Sequence, residues 1–279
     1  MTFFHYCPTA AFFSIIKNRE VWLSSLTASN DSMEGKWVST IIGIAANKWG
    51  IPPADVGRII DMVRTIEQYQ DCLGFCLSEA EDTLSQWRGY ADDGSGFSIG
   101  FSEEFMESFR DPNDPLISAH RVIYTLDEQL RLFQPMAQSA RRAIEEGAFA
   151  SQIDSLLATL SEENRLALQK SYQKAHSDLF ATLTSEISLF FKLKNPAFDE
   201  EKEWRLIRMA LDPYTDLDFR VRGSRLVPYL SENFRQLKRP ISKVLIGPKN
   251  PTSKDVVFGF LAKHGFDDVP VEISRASYR

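Results

Sequence analysis

The feature that most constrains this chain is a long helical block set among strands. Leu168, Tyr172, Leu179, Leu183, Ile187 and Phe191 recur at helical spacing, as a single buried helix face requires. The block runs from Leu126 to Phe191, and Asn195-Pro196 stops it, because the residue before a proline leaves the helical region. Short strand-like runs lie on either side without a regular strand–helix alternation, which excludes a doubly wound parallel sheet. The expected fold class is α+β: a mixed, largely antiparallel central sheet in a single domain over 1–279, with a helical insertion lobe at about 126–194.

The strand candidates are Thr2–Tyr6, Val21–Ser24, Cys72–Ser78, Phe97–Phe101, Ala119–Tyr124, Trp204–Met209, Leu226–Leu230, Val244–Ile246 and Val271–Ser274. Thr9 is placed to cap a helix over Ala10–Lys17, with Phe12, Phe13 and Ile16 on one face. Further helices are expected near Glu34–Asn47, Pro53–Gln70, Leu84–Tyr90 and Ser253–His264, the last stopped by Gly265. Asp31 and Glu34 have the spacing of a capping box.

Composition narrows the class. A hydrophobic share of 43% and a charged share of 25% are those of a globular protein. The net charge of −6 argues against broad attraction to phosphate backbones. Arg220, Arg222, Arg225, Arg235, Lys238 and Arg239 crowd one stretch, which reads first as a solvated surface. Three cysteines, Cys7, Cys72 and Cys76, form no disulfide framework and fit a reducing, cytoplasmic setting. No apolar run approaches the ~18 residues of a membrane span, and the N-terminus lacks the pattern of a signal peptide. The turn Asp92-Asp93-Gly94-Ser95-Gly96 is too acidic to cradle phosphate, and neither a P-loop nor a dinucleotide fingerprint is present.

Four polar clusters could carry chemistry. His5-Tyr6 closes the first strand, and a histidine there suits a ribose hydroxyl as well as a structural role. Ser24-Ser25, with Asn30, Asp31 and Glu34, forms a loop that can position a ligand or simply cap a helix. Trp87 and Tyr90 stand three apart on a helix, where they either enter the core or wall a flat base. Finally, Asp199 to Arg205 crowds carboxylates at a strand entrance; in a strand Glu201, Glu203 and Arg205 would share one side, with Lys202 and Trp204 on the other. Close carboxylates raise one another's pKa and an arginine offsets this, so the cluster reads equally as a structural Glu–Arg pair or as reacting groups.

The segments FHYC, WLSSLTASNDSMEG, LSQWRGYADDGSGFSIGF, KNPAFDEEKEWRLI, VLIGPKN and VEISRASYR together resemble the bacterial family known as domain of unknown function 2971. His5-Tyr6 before a helix, followed by Val21-Trp22-Leu23-Ser24, is also similar to the start of NAD-using ADP-ribosyltransferases. That second resemblance implies a split sheet holding NAD in a cleft. It implies His5 on the first strand, Trp87 or Tyr90 as the nicotinamide wall, and Glu203 of a Glu-x-Glu pair as the catalytic carboxylate. The Ser-Thr-Ser middle motif of those proteins has no clear counterpart here.

The resulting expectation is an NAD-dependent ADP-ribosyltransferase or NAD glycohydrolase working through an oxocarbenium-like step. Glu203 and Glu201 are its catalytic candidates, and His5, Tyr6, Ser25, Asn30, Trp87, Tyr90 and Arg205 its NAD-binding candidates. NAD is the substrate, a protein or nucleic acid the acceptor, no metal is called for and no membrane is involved. Two other classes fit the same residues. One is a non-catalytic nucleotide or ligand sensor. The other is a metal-dependent nuclease built on the Glu-x-Lys of Glu200-Glu201-Lys202.

Overall fold

The computed structural model describes residues 1–27, 32–110, 116–149, 161–210 and 216–277, with the backbone alone at 32–35. Asn30 and the Asp31 half of the expected capping box fall outside these residues. The chain divides into two compact units, one of residues 1–29, 72–122 and 197–279, the other of 30–71 and 123–196.

The strands are β1 (Phe3–Cys7), β2 (Glu20–Ser25), β3 (Asp71–Ser78), β4 (Phe97–Phe101), β5 (Ile117–Arg121), β6 (Glu203–Ala210), β7 (Asp218–Arg222), β8 (Arg225–Asn233), β9 (Ile241–Ile246) and β10 (Val271–Ile273). The helices are α1 (Thr9–Asn18), α2 (Ser32–Lys48), α3 (Pro53–Tyr69), α4 (Leu84–Tyr90), α5 (Glu103–Glu107), α6 (Leu126–Glu145), α7 (Glu162–Ser185), α8 (Ile187–Phe190) and α9 (Lys254–Lys263). The α+β class and the mixed, mostly antiparallel sheet are thus as the sequence led us to expect. Among the described residues no helix is long and apolar enough to cross a membrane.

The first unit carries one ten-stranded sheet in the order β10-β9-β4-β1-β3-β2-β8-β7, with β6 also on β3 and β5 on β6. Only β9 and β10 pair in parallel among the registers resolved. β3 has more partners than a strand has edges for side by side, and this is where the sheet forks. Its start pairs with β2, Leu73 opposite Ser25 and Gly74 opposite Ser24. Its end pairs with β1 through Phe4 and Ser78. Along the other edge lies β6: the Glu79 amide donates to the Lys202 carbonyl at one end, and Cys72 meets Met209 at the other. β1 and β2 therefore share one edge of β3 end to end and diverge from it.

Alternation explains which faces are buried. Phe3, Cys7, Val21, Leu23, Leu73, Phe75, Leu77, Phe97, Ile99 and Phe101 point into one core, every second residue as a pleated strand demands. α1 closes that core with Phe12, Ile15 and Ile16; Phe12 stacks on Phe97 at 4.1 Å. Each such side chain is worth ~1.5–3 kcal/mol in transferred area. Thr9 does not cap α1: it is the first helical residue, Pro8 holds the cap position, and no side chain caps it.

On the opposite face Phe4, Tyr6, Trp87, Ala91 and Leu245 form a second, smaller core under α4. The acidic turn after α4 is closed by the Gly247–Asn250 segment. The Gly247 amide donates to Gly96, the Lys249 amide to Gly94, and the Asn250 side chain to Ser95 at 2.6 Å. Lys249 Nζ neutralises Asp93 at 2.6 Å. Two of the sequence motifs that carried the resemblance are thus one packed unit. At Gly96 a methyl group would lie 2.2 Å from the Cys7 carbonyl, and at Gly247 2.3 Å from the Gly94 carbonyl, so glycine is dictated by close backbone approach.

The second unit is helical. α7 buries Ala175, Leu179 and Leu183, and α8 buries Ile187 and Phe190; of the stripe read from the sequence, Leu179, Leu183, Ile187 and Phe191 are buried and Leu168 and Tyr172 half-buried. The unit also takes in residues 30–71, beyond the insertion outlined from periodicity. At its base Gln129 is completely buried. Its amide donates to the carbonyls of Ile123 at 2.7 Å and Lys194 at 2.8 Å, and accepts from Trp37 Nε1 at 3.0 Å. One side chain thereby clasps both ends of the excursion from 123 to 196.

Candidate functional site

The segment Cys76–Thr83, at the end of β3 and just beyond it, is contacted by four of the candidates, His5, Tyr6, Trp87 and Glu201. His5 Nδ1 meets the Cys76 carbonyl at 2.8 Å; a carbonyl only accepts, so that nitrogen carries the proton. The ring stacks on Phe75 at 4.2 Å. Burial holds its pKa down to about 4, with the Arg220 charge adding to the effect against the raising influence of the Cys76 carbonyl. His5 is therefore neutral at pH 7, and its Nε2 is an acceptor.

Tyr6 donates to the Ala80 carbonyl at 2.8 Å and accepts from the Thr83 amide at 3.1 Å. Burial pushes its pKa above the ordinary tyrosine range. The hydroxyl is a clamp on this segment, with both its capacities in use. Ser78 Oγ donates to the Glu201 carbonyl at 2.5 Å and accepts from the Ala80 amide at 2.9 Å. Trp204 Nε1 donates to Glu79 at 2.7 Å.

Tyr90 is the exposed member, at 43%, and its hydroxyl donates to Glu201 Oε1 at 3.3 Å. Glu201 itself is 7% exposed. It does not belong to the strand. Residues Pro196–Glu201 wind as a 3-10 turn and Lys202 takes φ 43°, so β6 begins only at Glu203. The expected alternation therefore holds for Glu203 and Arg205 but not for Glu201 and Lys202. Glu203 and Arg205 grip each other in two parallel contacts of 2.7 and 3.1 Å, both buried.

Two assignments need correction. Trp87 is fully buried, edge-on to Tyr6 at 4.9 Å, with Nε1 on Asp82 at 2.6 Å. No ring face is open to a flat ligand, so it is part of the frame and Tyr90 alone stays accessible. The two share a helix but not an environment, because α4 is short and turns Tyr90 off the sheet. Ser25 is also misplaced for a site: it pairs with Leu73 at the far end of β3, and its hydroxyl meets Thr27 at 2.9 Å. Across five residues of strand, at about 3.3 Å each, that is roughly 16 Å from Ser78. The opposite-facing neighbour Ser24 is the one whose hydroxyl is buried without a hydrogen-bond partner.

Residues not anticipated complete the picture. Asp82 is a hub: besides Trp87 it takes Ser274 Oγ at 2.6 Å and the Arg275 amide at 2.7 Å, which ties the closing VEISRASYR motif to α4. Arg220, read from sequence as a solvated cation, is partly buried on β7 and carries a buried Nε with no hydrogen-bond partner among the described residues. β7 was not anticipated at all, although Asp218, Arg220 and Arg222 alternate with Phe219 and Val221, a period-two signal. Two surface hollows lie elsewhere, one lined by Lys254, Asp255 and Asp267, the other by Lys36, Arg64 and Glu67. Among the described residues no group of three or more His, Cys, Asp or Glu side chains is placed to hold a metal ion.

Neither curated proteins nor solved structures give a match to this chain. Residues 86–206 match the family model described as Protein of unknown function (DUF2971). That stretch holds most of α4, with Tyr90, Glu201, Glu203 and Arg205, and the match to that family is the one its motifs led us to expect.

Proposed function

We propose that this chain binds a nucleotide of the NAD class at the fork of its sheet and acts on the nicotinamide–ribose bond, as an ADP-ribosyltransferase or NAD glycohydrolase. The observation that carries the reading is the contact of the exposed Tyr90 with Glu201, which is tied to Ser78 at the end of β3, where His5 meets the Cys76 carbonyl. A neutral histidine, with Nε2 as an acceptor, suits a ribose hydroxyl. Tyr90 offers an accessible ring to the base.

Glu201 takes the role of acting carboxylate. Cleavage of the glycosidic bond builds positive charge on the ribose, which a nearby carboxylate stabilises. Glu203 was the first choice from the sequence, but its two oxygens are engaged by Arg205. It serves better as a fixed structural group, because a buried arginine fork holds its carboxylate in one orientation.

The test is calorimetric and chemical together. NAD at about 100 times its dissociation constant should add about 2.7 kcal/mol of stability, a rise of several degrees at roughly 2–4 °C per kcal/mol. Released nicotinamide is then measured by chromatography. Glu201→Gln should keep the thermal shift and stop the release, since it removes charge stabilisation specific to the transition state. No thermal shift at millimolar NAD would sink the reading.

The sensor class has one observation in its favour, the closed Glu203–Arg205 pair. A sensor gives the same thermal shift with no nicotinamide released by the unmodified protein.

A further inference from the structure

On the β2-β8-β7 arm of the fork, a second group of side chains has no part in the chemistry above. Register places Ser24 opposite Tyr229 and Tyr229 opposite Asp218, so Trp22, Ser24, Tyr229 and Arg220 lie on one face by alternation. Trp22 stacks on Tyr229 at 4.4 Å, and the Arg220 guanidinium lies 5.8 Å from the Trp22 ring.

Arg220 is costly where it stands. A guanidinium stays charged in proteins, and burying one of its donors without an acceptor is unfavourable. Its Nε has no hydrogen-bond partner among the described residues, and neither has the Ser24 hydroxyl. Burial and the neighbouring Arg222 both lower its pKa. The carboxylates nearby do not relieve it: Glu20 is taken by Trp22 Nε1 at 3.2 Å and Asn18 at 3.4 Å, and Asp218 is exposed.

We propose that Arg220 and Ser24 form an anion subsite that takes a phosphoryl group of the bound nucleotide, with the Trp22–Tyr229 stack as its floor. A phosphoryl oxygen pair meets an arginine fork through charge-assisted hydrogen bonds, and the serine hydroxyl supplies a further donor. The subsite deepens the nucleotide reading and rests on it for the identity of the ligand. It sets a division of labour: the His5–Glu201 end handles the nicotinamide riboside, and the Arg220 end handles the diphosphate.

The experiment is isothermal titration of the full chain with three probes: NAD, nicotinamide riboside and inorganic pyrophosphate. Arg220→Gln should weaken NAD and pyrophosphate at least tenfold and leave nicotinamide riboside unchanged. Ser24→Ala should weaken the same two probes severalfold. Because it removes a buried, unpartnered hydroxyl, it should not lower the melting temperature of the ligand-free protein, which guards against loss by misfolding. NAD binding that Arg220→Gln leaves intact overturns the subsite and spares the nucleotide reading. An equal loss for NAD and nicotinamide riboside also overturns it. Pyrophosphate binding that depends on Arg220, with no binding of either nicotinamide compound, upholds the anion subsite and defeats the nicotinamide reading.

Discussion

Glu203 and Arg205, two residues apart on one side of β6, form a bidentate ion pair with both side chains less than a tenth exposed. Removing one partner takes this bidentate counter-charge from a buried ion, which costs ~3–5 kcal/mol. Arg205→Met and Glu203→Leu should each lower the denaturation midpoint strongly. The double substitution should be less damaging than either alone, as apolar replacement of a whole buried pair often is. Urea unfolding of the four proteins measures this, and additive losses would show that the pair is not coupled.

His5 makes the fold acid-sensitive. Its folded pKa of about 4 lies below the ordinary 6.5, so the unfolded chain takes up the proton first. The His5 contribution is complete above pH 6.5, declines as pH falls from 6.5 to 4, and is gone below that. The ring is only partly buried by surface area, so the loss is roughly 2–3 kcal/mol rather than the full value of the shift. His5→Asn should flatten the stability–pH curve across that window. An unchanged slope would mean that other groups carry the acid response.

Gln129 should behave as a clasp. Gln129→Leu leaves the carbonyls of Ile123 and Lys194 and the Trp37 indole N–H without this partner. The expected loss is on the order of 3 kcal/mol, from buried polar groups left unsatisfied. Amide hydrogen exchange across 123–196 reports it, and protection equal to that of the unmodified chain would refute the clasp.

Asp82 holds α4 and the closing segment together. Asp82→Asn keeps acceptors but loses charge, so it should cost about 1–2 kcal/mol; Asp82→Ala should cost more, because Trp87 Nε1 and the Arg275 amide lose their acceptor. Fluorescence of the buried Trp87 should shift to the red in Asp82→Ala. An unmoved spectrum together with an unmoved melting temperature would rule out the hub.

Periodicity told much of this architecture in advance, and the reasons are local. α4 was placed at Leu84–Tyr90 and β4 at Phe97–Phe101, the bounds found, because both carry strong apolar patterns beside turn residues. β7 escapes notice because its alternating apolar residues, Phe219 and Val221, are exposed, so its period-two pattern points to no core. Ser24 and Ser25 look alike in sequence, and only the register on β3 decides which faces which way. Trp87 was legible as aromatic, but its burial depends on Asp82 and on Tyr6 from β1, partners that no local pattern supplies. The split between Glu201 and Glu203 turned on the left-handed backbone of Lys202, a conformation that alternation cannot anticipate.

The forked sheet has a consequence for how the chain organises itself. β2 and β3 are antiparallel neighbours, and so are β5 and β6, yet residues 26–70 intervene in the first pair and 122–202 in the second. Each pair is a hairpin whose turn has been replaced by a helical excursion. Loop-closure entropy rises only by about 0.6 kcal/mol per doubling of length, so the excursions add little to the cost of the finished sheet. They do remove the geometric guide that a tight turn gives to strand pairing. Register must then come from the strands themselves: Gly74 receives Leu26 where any larger side chain would collide, and Cys72 meets Met209. Such distant pairings form slowly, and three of them meet on β3, which pairs with β1, β2 and β6.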